Sequence, residues 1–408
     1  MWANVRMAVT LVFLALLGAD WARGQAPDFQ DYLARGKLAD GEKALAAYLV
    51  KTPQDDNTRF ALGAVQFFQA VEKLGNGFYR KGLRHHRGSL EMPLMRLPVP
   101  ANPDPESIDY EELRKIFSDF VAGLAKAEGT LAAIKNDEVA LSLRLLRIKL
   151  DLKGNGEPVP FNEIAAHYAG VPINGAEDGL LIRFDRGDVA WLRGYCHLLM
   201  AMGKSILAYD FDGLFQTAGH TFFQKANTTF KPLAGYKTPS GFMISPDVDI
   251  TDLIAIIHMI RFPVKDGGKL AEARAHLLKV FALSRESWKF ILAEKDNDHE
   301  WIPNPAQSGV SGIRVTREMV QGWLAFIGEA EDLFEGKKLI PFWRGPADMG
   351  INLKKVFTEP RTFDLVLWVQ GSSAIPYLEK GNLTSPEVWR RLDRVFQGDL
   401  FRFGLWFN

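Results

Sequence analysis

The stretch from Asp185 to Phe215 constrains the fold more than any other. One heptad track reads Val189, Leu192, Cys196, Leu199, Gly203 and Ile206, and a second reads Trp191, Tyr195, Leu198, Met202, Ser205 and Tyr209. Two apolar faces on one helix require burial almost all round. A third track, Ala190, Gly194, His197, Ala201, Lys204 and Ala208, is small enough to let a neighbouring backbone approach. These patterns predict a central helix over 188–210 with partners on at least three sides. Arg193 and Lys204 interrupt it, which suits a protein core better than a bilayer.

With 408 residues, 47% of them hydrophobic, the chain has material for a large core. Its length exceeds the roughly 250 to 300 residues at which one core tends to divide. The expected class is all-α: an exported multi-helix protein of packed antiparallel helical hairpins, with long irregular loops and an irregular C-terminal segment. The expected parts are a signal peptide over 1–24, helical hairpins over 25–152, and a Trp-rich region over 153–408 around the central helix. A single continuous domain after residue 24 is the alternative. The export expectation rests on Arg6, the apolar run Met7 to Leu17, and the small residues before Gln25, the layout of a secretory signal. No later segment reads as a membrane span. Cys196 is the only cysteine, so no intramolecular disulfide can form, and its mid-helix apolar position marks a buried thiol. Lys plus Arg equals Asp plus Glu at 49 each, so no global field attracts nucleic acid.

In chain order, helices are expected over 41–51 and 58–74. The latter carries Phe60, Ala64, Phe67, Val71 and Leu74 on one face. The Leu62-Gly63 pair and the helix-ending Pro53 give residues 41–75 a resemblance to one tetratricopeptide repeat, which implies a helical pair of interaction type. A Gly- and Pro-rich loop follows over 75–105. It holds Arg80, Lys81, Arg84, His85, His86, Arg87 and Arg96, either an anion contact or a solvated loop. Two further helices are expected, one from a Ser107 or Asp109 cap to Ile134 and one over 137–152.

The second of these runs into DLKGNGEPVPFNE, which resembles a calcium loop of the EF-hand type over 151–163. Asp151, Asn155, Gly156 and the Glu157 carbonyl match loop positions 1, 5, 6 and 7, whereas Lys153 stands at the third position and Asn162 at the twelfth. The resemblance implies calcium, and the lysine implies a loop that keeps the turn without the ion.

Arg193, His197 and Lys204 share one stripe of the central helix, as an ion-pair network or as an anion site. Asp210 and Asp212 with His220 are a possible metal set. A helix started by Ser245-Pro246 and stopped by Pro263 buries Ile250, Leu253, Ile254, Ile257 and Ile260. A helix over 268–294 ends in EKDNDHEWIPNP, where Asp296, Asp298 and Glu300, with His299 among them, offer the oxygen density a hard cation needs. Thr316 caps a helix to Phe334, and FDLVLWVQ reads as a short buried helix.

No HExxH, Walker A loop, GxSxG elbow or strand-borne GxGxxG occurs. Two functions stay open. One is an exported helical binding or scaffold protein without catalysis, for an unknown protein or polymer partner. The other is a secreted all-α hydrolase or lyase acting on polysaccharide through Asp, Glu and His. Its centre would be Asp296, Asp298, His299 and Glu300 with Trp301 as platform, or Asp185, Asp188 and His197. Every tryptophan beyond residue 24 lies at Trp191 or later, which suits either core filling or sugar stacking.

Overall fold

A computed structural model describes residues 25–84, 95, 97, 99–163, 180–229, 243–245, 248–310, 312, 314–396 and 403. The signal-like segment and the basic residues His85, His86, Arg87 and Arg96 lie outside the described residues.

The chain opens with α1 (Phe29–Ala34), α2 (Leu38–Lys51) and α3 (Asp56–Arg80). Asp55 caps α3 by accepting from the Thr58 N–H at 2.9 Å. This helix runs six residues beyond the expected Leu74, because Gly75, Gly77 and Phe78 are buried against its neighbours. Then comes α4 (Tyr110–Ala132), which starts in a capping box between Asp109 and Glu112. It buries Leu113, Phe117, Phe120, Leu124, Ala127 and Leu131 at the spacing of one helix face.

The helix expected over 137–152 is not formed. Leu141–Arg144 is strand β1, followed by a 3₁₀ turn over Leu145–Arg147 and strand β2 (Lys149–Leu150), which pairs with β3 (Val159–Pro160). β1 pairs antiparallel with β4 (Leu181–Phe184), Leu141 opposite Phe184 and Arg144 opposite Leu181. The apolar run fits a period of two as well as 3.6, and burial of Leu141 and Leu143 with Ser142 exposed follows the period of two. A partner strand some 40 residues downstream decided the matter.

The central helix is α5 (Arg186–Ala208). After α6 (Asp212–Phe222) come β5 (Met243–Ser245) and β6 (Val248–Asp249), so that α7 (Ile250–Met259) begins later than Ser245-Pro246 indicated. Ile250, Ile254 and Ile257 of α7 are exposed, not buried; only Ile256 is a core residue of that helix. Strand β7 (Arg261–Phe262) leads to α8 (Gly267–Ala293), then α9 (Arg317–Glu335) under a Thr316 cap, and strands β8 (Ile340–Pro341) and β9 (Met349–Ile351). The last elements are α10 (Leu353–Thr358), β10 (Phe363–Asp364), α11 (Leu365–Gln370), a 3₁₀ turn over Ser372–Tyr377, β11 (Leu378–Lys380) and α12 (Pro386–Phe396). The fold is thus mostly helical with small sheets, and no helix among the described residues is long and apolar enough to cross a membrane.

α5 packs along its length against α8 and α4. At its start Gly187 lies so close to α8 that a β-carbon there would sit 2.9 Å from the Ile291 side chain. One core joins Phe78, Phe117 and Leu124 to Cys196, Met200 and Phe211. Another, beneath the α5 N-terminus, gathers Ile182, Trp288, Ile291, Trp301, Trp323 and Phe403. Tryptophans on α8, on α9 and in the loop between them are therefore core fillers around one end of the central helix.

Candidate functional site

The N-terminus of α5 needs acceptors for its free N–H groups. Asp185 supplies one, accepting from the Gly187 N–H at 2.7 Å, and Asp188 reaches back to accept from the Asp185 N–H at 3.0 Å. That accounts for one oxygen of Asp188. Its Oδ1 is buried with no hydrogen-bond partner among the described residues, and the whole residue is 4% exposed.

Two glutamates meet these aspartates from the far end of α8. Glu294 is its C-cap residue, and Glu300 lies six residues on, in the loop before α9. Carboxylate oxygens of Asp185, Glu294 and Glu300 all lie within 4.8 Å of one another. The loop that delivers the glutamates is tied down throughout. Asn304 donates to the Ile291 carbonyl at 3.1 Å, while Gln307 donates to Glu294 Oε2 at 3.2 Å and to the Asp296 carbonyl at 2.8 Å. Glu300 Oε1 accepts from the Asp298 N–H at 2.8 Å, and the Val310 N–H bonds the Glu300 carbonyl at 2.9 Å. His299 sits at φ 61, a strained setting for a side chain with a β-carbon.

Asp185, Asp188, Glu294 and Glu300 converge here, and none of them makes an ion pair among the described residues. Arg183 of β4 bonds Asp296 at 3.0 Å and faces Asp298 at 3.6 Å, and Arg186 pairs with Glu286 at 2.9 Å. The electrostatics follow. Burial first, then the charge of Asp185 and their shared hydrogen bond, push Glu294 up to about 9. Burial, with Asp185 and Glu300 adding, raises Asp188 well above the carboxylate range, and burial with Asp185 and Asp296 raises Glu300. Beside Glu294 opens a cleft of about 410 Å³, lined also by Asn304, Arg317 and Gln321. Beneath the centre, Trp301 packs edge-on to Trp191 at 5.8 Å.

The geometry suits a hard cation. Two oxygens each at about 2.4 Å from a calcium ion are at most about 4.8 Å apart, the limit within which the three carboxylates sit. Asp188 stands outside that set of three but is near enough for its charge to raise Glu294, and its Oδ1 has no hydrogen-bond partner among the described residues.

Of the residues singled out from sequence, Asp185, Asp188 and Glu300 come together, merging two candidate centres into one. Asp296 and Asp298 are held by Arg183, and His299 Nδ1 is 2.8 Å from Asp298 Oδ1. His197 is elsewhere. It contacts His276 of α8 through Nδ1 atoms 2.7 Å apart, and its Nε2 is 3.4 Å from Glu128 of α4. Arg193 also bonds Glu128, at 2.9 Å, and Lys204 pairs with Glu272, so the stripe is engaged in ion pairs between helices. Burial works against the Glu128 charge, but His197 and Arg193 hold its carboxyl down at about 2.

In the 151–163 loop, Asp151 accepts from the N–H groups of Gly154, Asn155 and Gly156, and Glu157 Oε2 takes Asn155 Nδ2 at 3.0 Å. Lys153 lies 3.7 Å from the Glu157 carboxylate. Asp210 accepts from the Asp212 N–H, whereas His220 faces Asp252 at 3.8 Å.

Glu294, Asn304, Gln307 and His276 escaped the sequence reading. EKDNDHEWIPNPAQ carries three of them within 14 residues, but Glu294 is indistinguishable there from a solvated helix end. No family model, no curated protein and no solved structure matches this chain.

Proposed function

We propose that the protein is an exported helical binding protein that holds a protein or polymer partner, with calcium at the centre formed by Asp185, Asp188, Glu294 and Glu300. The observation that carries this reading is the buried, unpaired Oδ1 of Asp188 beside three carboxylates within mutual ligand distance. Like charges packed this closely either take up protons or take up a cation. A calcium ion replaces the protons and couples loop 294–310 to the start of the central helix, so the ion governs the shape of the cleft beside Glu294. Export into a calcium-rich compartment fits the signal-like first 24 residues. A melt followed by tryptophan fluorescence tests it, first in EDTA and then with added calcium. A ligand at about 100 times its Kd adds about 2.7 kcal/mol of stability. No shift up to millimolar calcium sinks the reading.

One observation favours a second reading, an enzyme cleaving polysaccharide. Glu294 keeps its proton at neutral pH and borders the cleft, the state a general acid needs. In that case Glu294 protonates the leaving oxygen as the glycosidic bond breaks, and a water molecule supplies the hydroxyl that replaces it at the anomeric carbon. Reducing-end release from a panel of polysaccharides in EDTA, lost in Glu294→Gln, supports the enzyme. Its absence in both proteins removes that reading.

A further inference from the structure

A second surface, made of different elements, sits around α11. The root of this short helix is fixed: β10 pairs with β7, and the Leu365 N–H bonds the Ile260 carbonyl at 3.0 Å. At its other end Gly371, at φ 108, turns the chain into the 3₁₀ turn, against the ring of Phe342. The inner side is closed by Trp368 stacked on Tyr377, with centroids 5.9 Å apart, over buried Ala374. The outer side is apolar and bare. Val366, Val369 and Ile375 are 51%, 72% and 60% exposed, and Trp343, on the turn beside Gly371, is 61% exposed. Scattered apolar residues are ordinary on a surface, but several on one short tip mark an interaction site.

The charges around the tip indicate what covers it. Three lysines of this region are paired: Lys338 with Glu329, Lys355 with Glu379, and Lys380 with Asp348. Arg344 and Arg361 make no ion pair among the described residues. Arg344 donates to the Gln370 carbonyl at the end of α11. Arg361 lines a cleft of about 590 Å³ together with Thr362, Ser373 and the rings of Pro263, Pro360 and Pro376. An apolar crown with an exposed indole, flanked by two guanidiniums that make no ion pair among the described residues, has the composition of a surface that sits in the lipid headgroup layer.

We propose that this tip docks the protein on an anionic lipid surface, with Val366, Val369, Ile375 and Trp343 entering the interface and Arg361 taking a lipid phosphate. The proposal is independent of the carboxylate centre. Cys196 is buried, so a Val369→Cys variant of the full chain accepts a single environment-sensitive dye at the tip. The dye is expected to shift to the blue on phosphatidylglycerol vesicles, and far less on phosphatidylcholine. Arg361→Gln is expected to weaken binding about fivefold, the share of one cation near a charged membrane. Val366→Glu in the labelled chain is expected to abolish the shift. Its exposed position leaves the fold intact, which an unchanged melt verifies. Three results overturn the proposal. One is an unshifted dye on vesicles that nevertheless carry the chain, as attachment through the apolar run Met7 to Leu17 alone would produce. Another is an equal shift on both lipids. The third is a concentration-dependent shift without vesicles, which makes a second copy the occupant.

Discussion

Replacing Glu294 with Gln isolates the electrostatic cost of the carboxylate centre. Glutamine keeps the shape, still accepts from Gln307, and donates an amide N–H to Asp185, but it cannot titrate. In the folded, ion-free protein the Glu294 carboxyl stands at about 9, against an ordinary 4.5. Between those values the folded state carries a proton that the unfolded chain has released. Stability is therefore fully present below about pH 4.5 and is lost as the pH rises toward 9. A group wholly protonated in one state and wholly ionised in the other contributes about 1.4 kcal/mol per pH unit. Glu294 borders an open cleft, so screening shrinks the shift and with it the total loss, to about 2 kcal/mol between about pH 5 and pH 8, an average slope of roughly 0.7 kcal/mol per unit over that range. For a chain of this length that is about 2–3 °C in Tm. The assay is urea unfolding by tryptophan fluorescence across that range, in EDTA. The wild-type curve is expected to fall with pH, and the Glu294→Gln curve to be flatter by the stated slope. Parallel curves would falsify the reasoning, because Glu294 would then titrate alike in both states. In calcium the order reverses: the wild type gains stability as pH rises and protons leave, while the variant, one charged ligand short, gains less.

Other outcomes follow from the same geometry. Asp188→Asn preserves the acceptor for the Asp185 N–H but removes the unpaired oxygen; we expect the calcium-induced rise in Tm to disappear while the ion-free protein at pH 8 is no less stable, as paired melts will register. His276 is held below the usual histidine range by burial, then by His197 and by Lys204, with Glu272 and Glu128 opposing. Its stability contribution is present above about pH 6.5 and is lost as the pH falls below that. His276→Asn should flatten that acid limb in urea midpoints, and an unchanged limb would assign it to other groups. Trp288, 1% exposed and stacked on Phe403 at 6.2 Å, supports the floor of the centre; Trp288→Ala should cost about 3–5 kcal/mol in chemical denaturation, and a cost below about 1 kcal/mol would mean that the core there is loose.

Much of the helical framework was legible because its signals are local. Asp109, Asp185 and Thr316 announced helix starts through side chains that reach only two or three residues ahead, and the structure uses each as a cap. The 4-3 spacing of Leu113 to Leu131 described a buried face with no reference to what covers it. The tracks of α5 likewise required partners on several sides, and α4, α8 and β4 supply them. Where two periods fit the same residues, locality failed. Leu141 and Leu143 served a helix or a strand equally, until β4 offered a ladder. α7 failed differently, since Ile254 and Ile257 carry the core pattern and yet face outward.

The centre itself belongs to tertiary structure. Asp185 and Asp188 could be placed at a helix start from sequence, and Glu300 in an acidic loop, but each had an ordinary explanation where it stood. Packing of α5 on α8 brings the two ends together across more than 100 residues, and Gly187 permits the close approach. Only then do three carboxylates fall within 4.8 Å of one another, with Asp188 Oδ1 left unpaired. Capping and periodicity are properties of neighbours along the chain and can be read from it. Mutual repulsion, desolvation and the capacity to hold an ion depend on distances between residues far apart in the chain, and only the packed helices determine those.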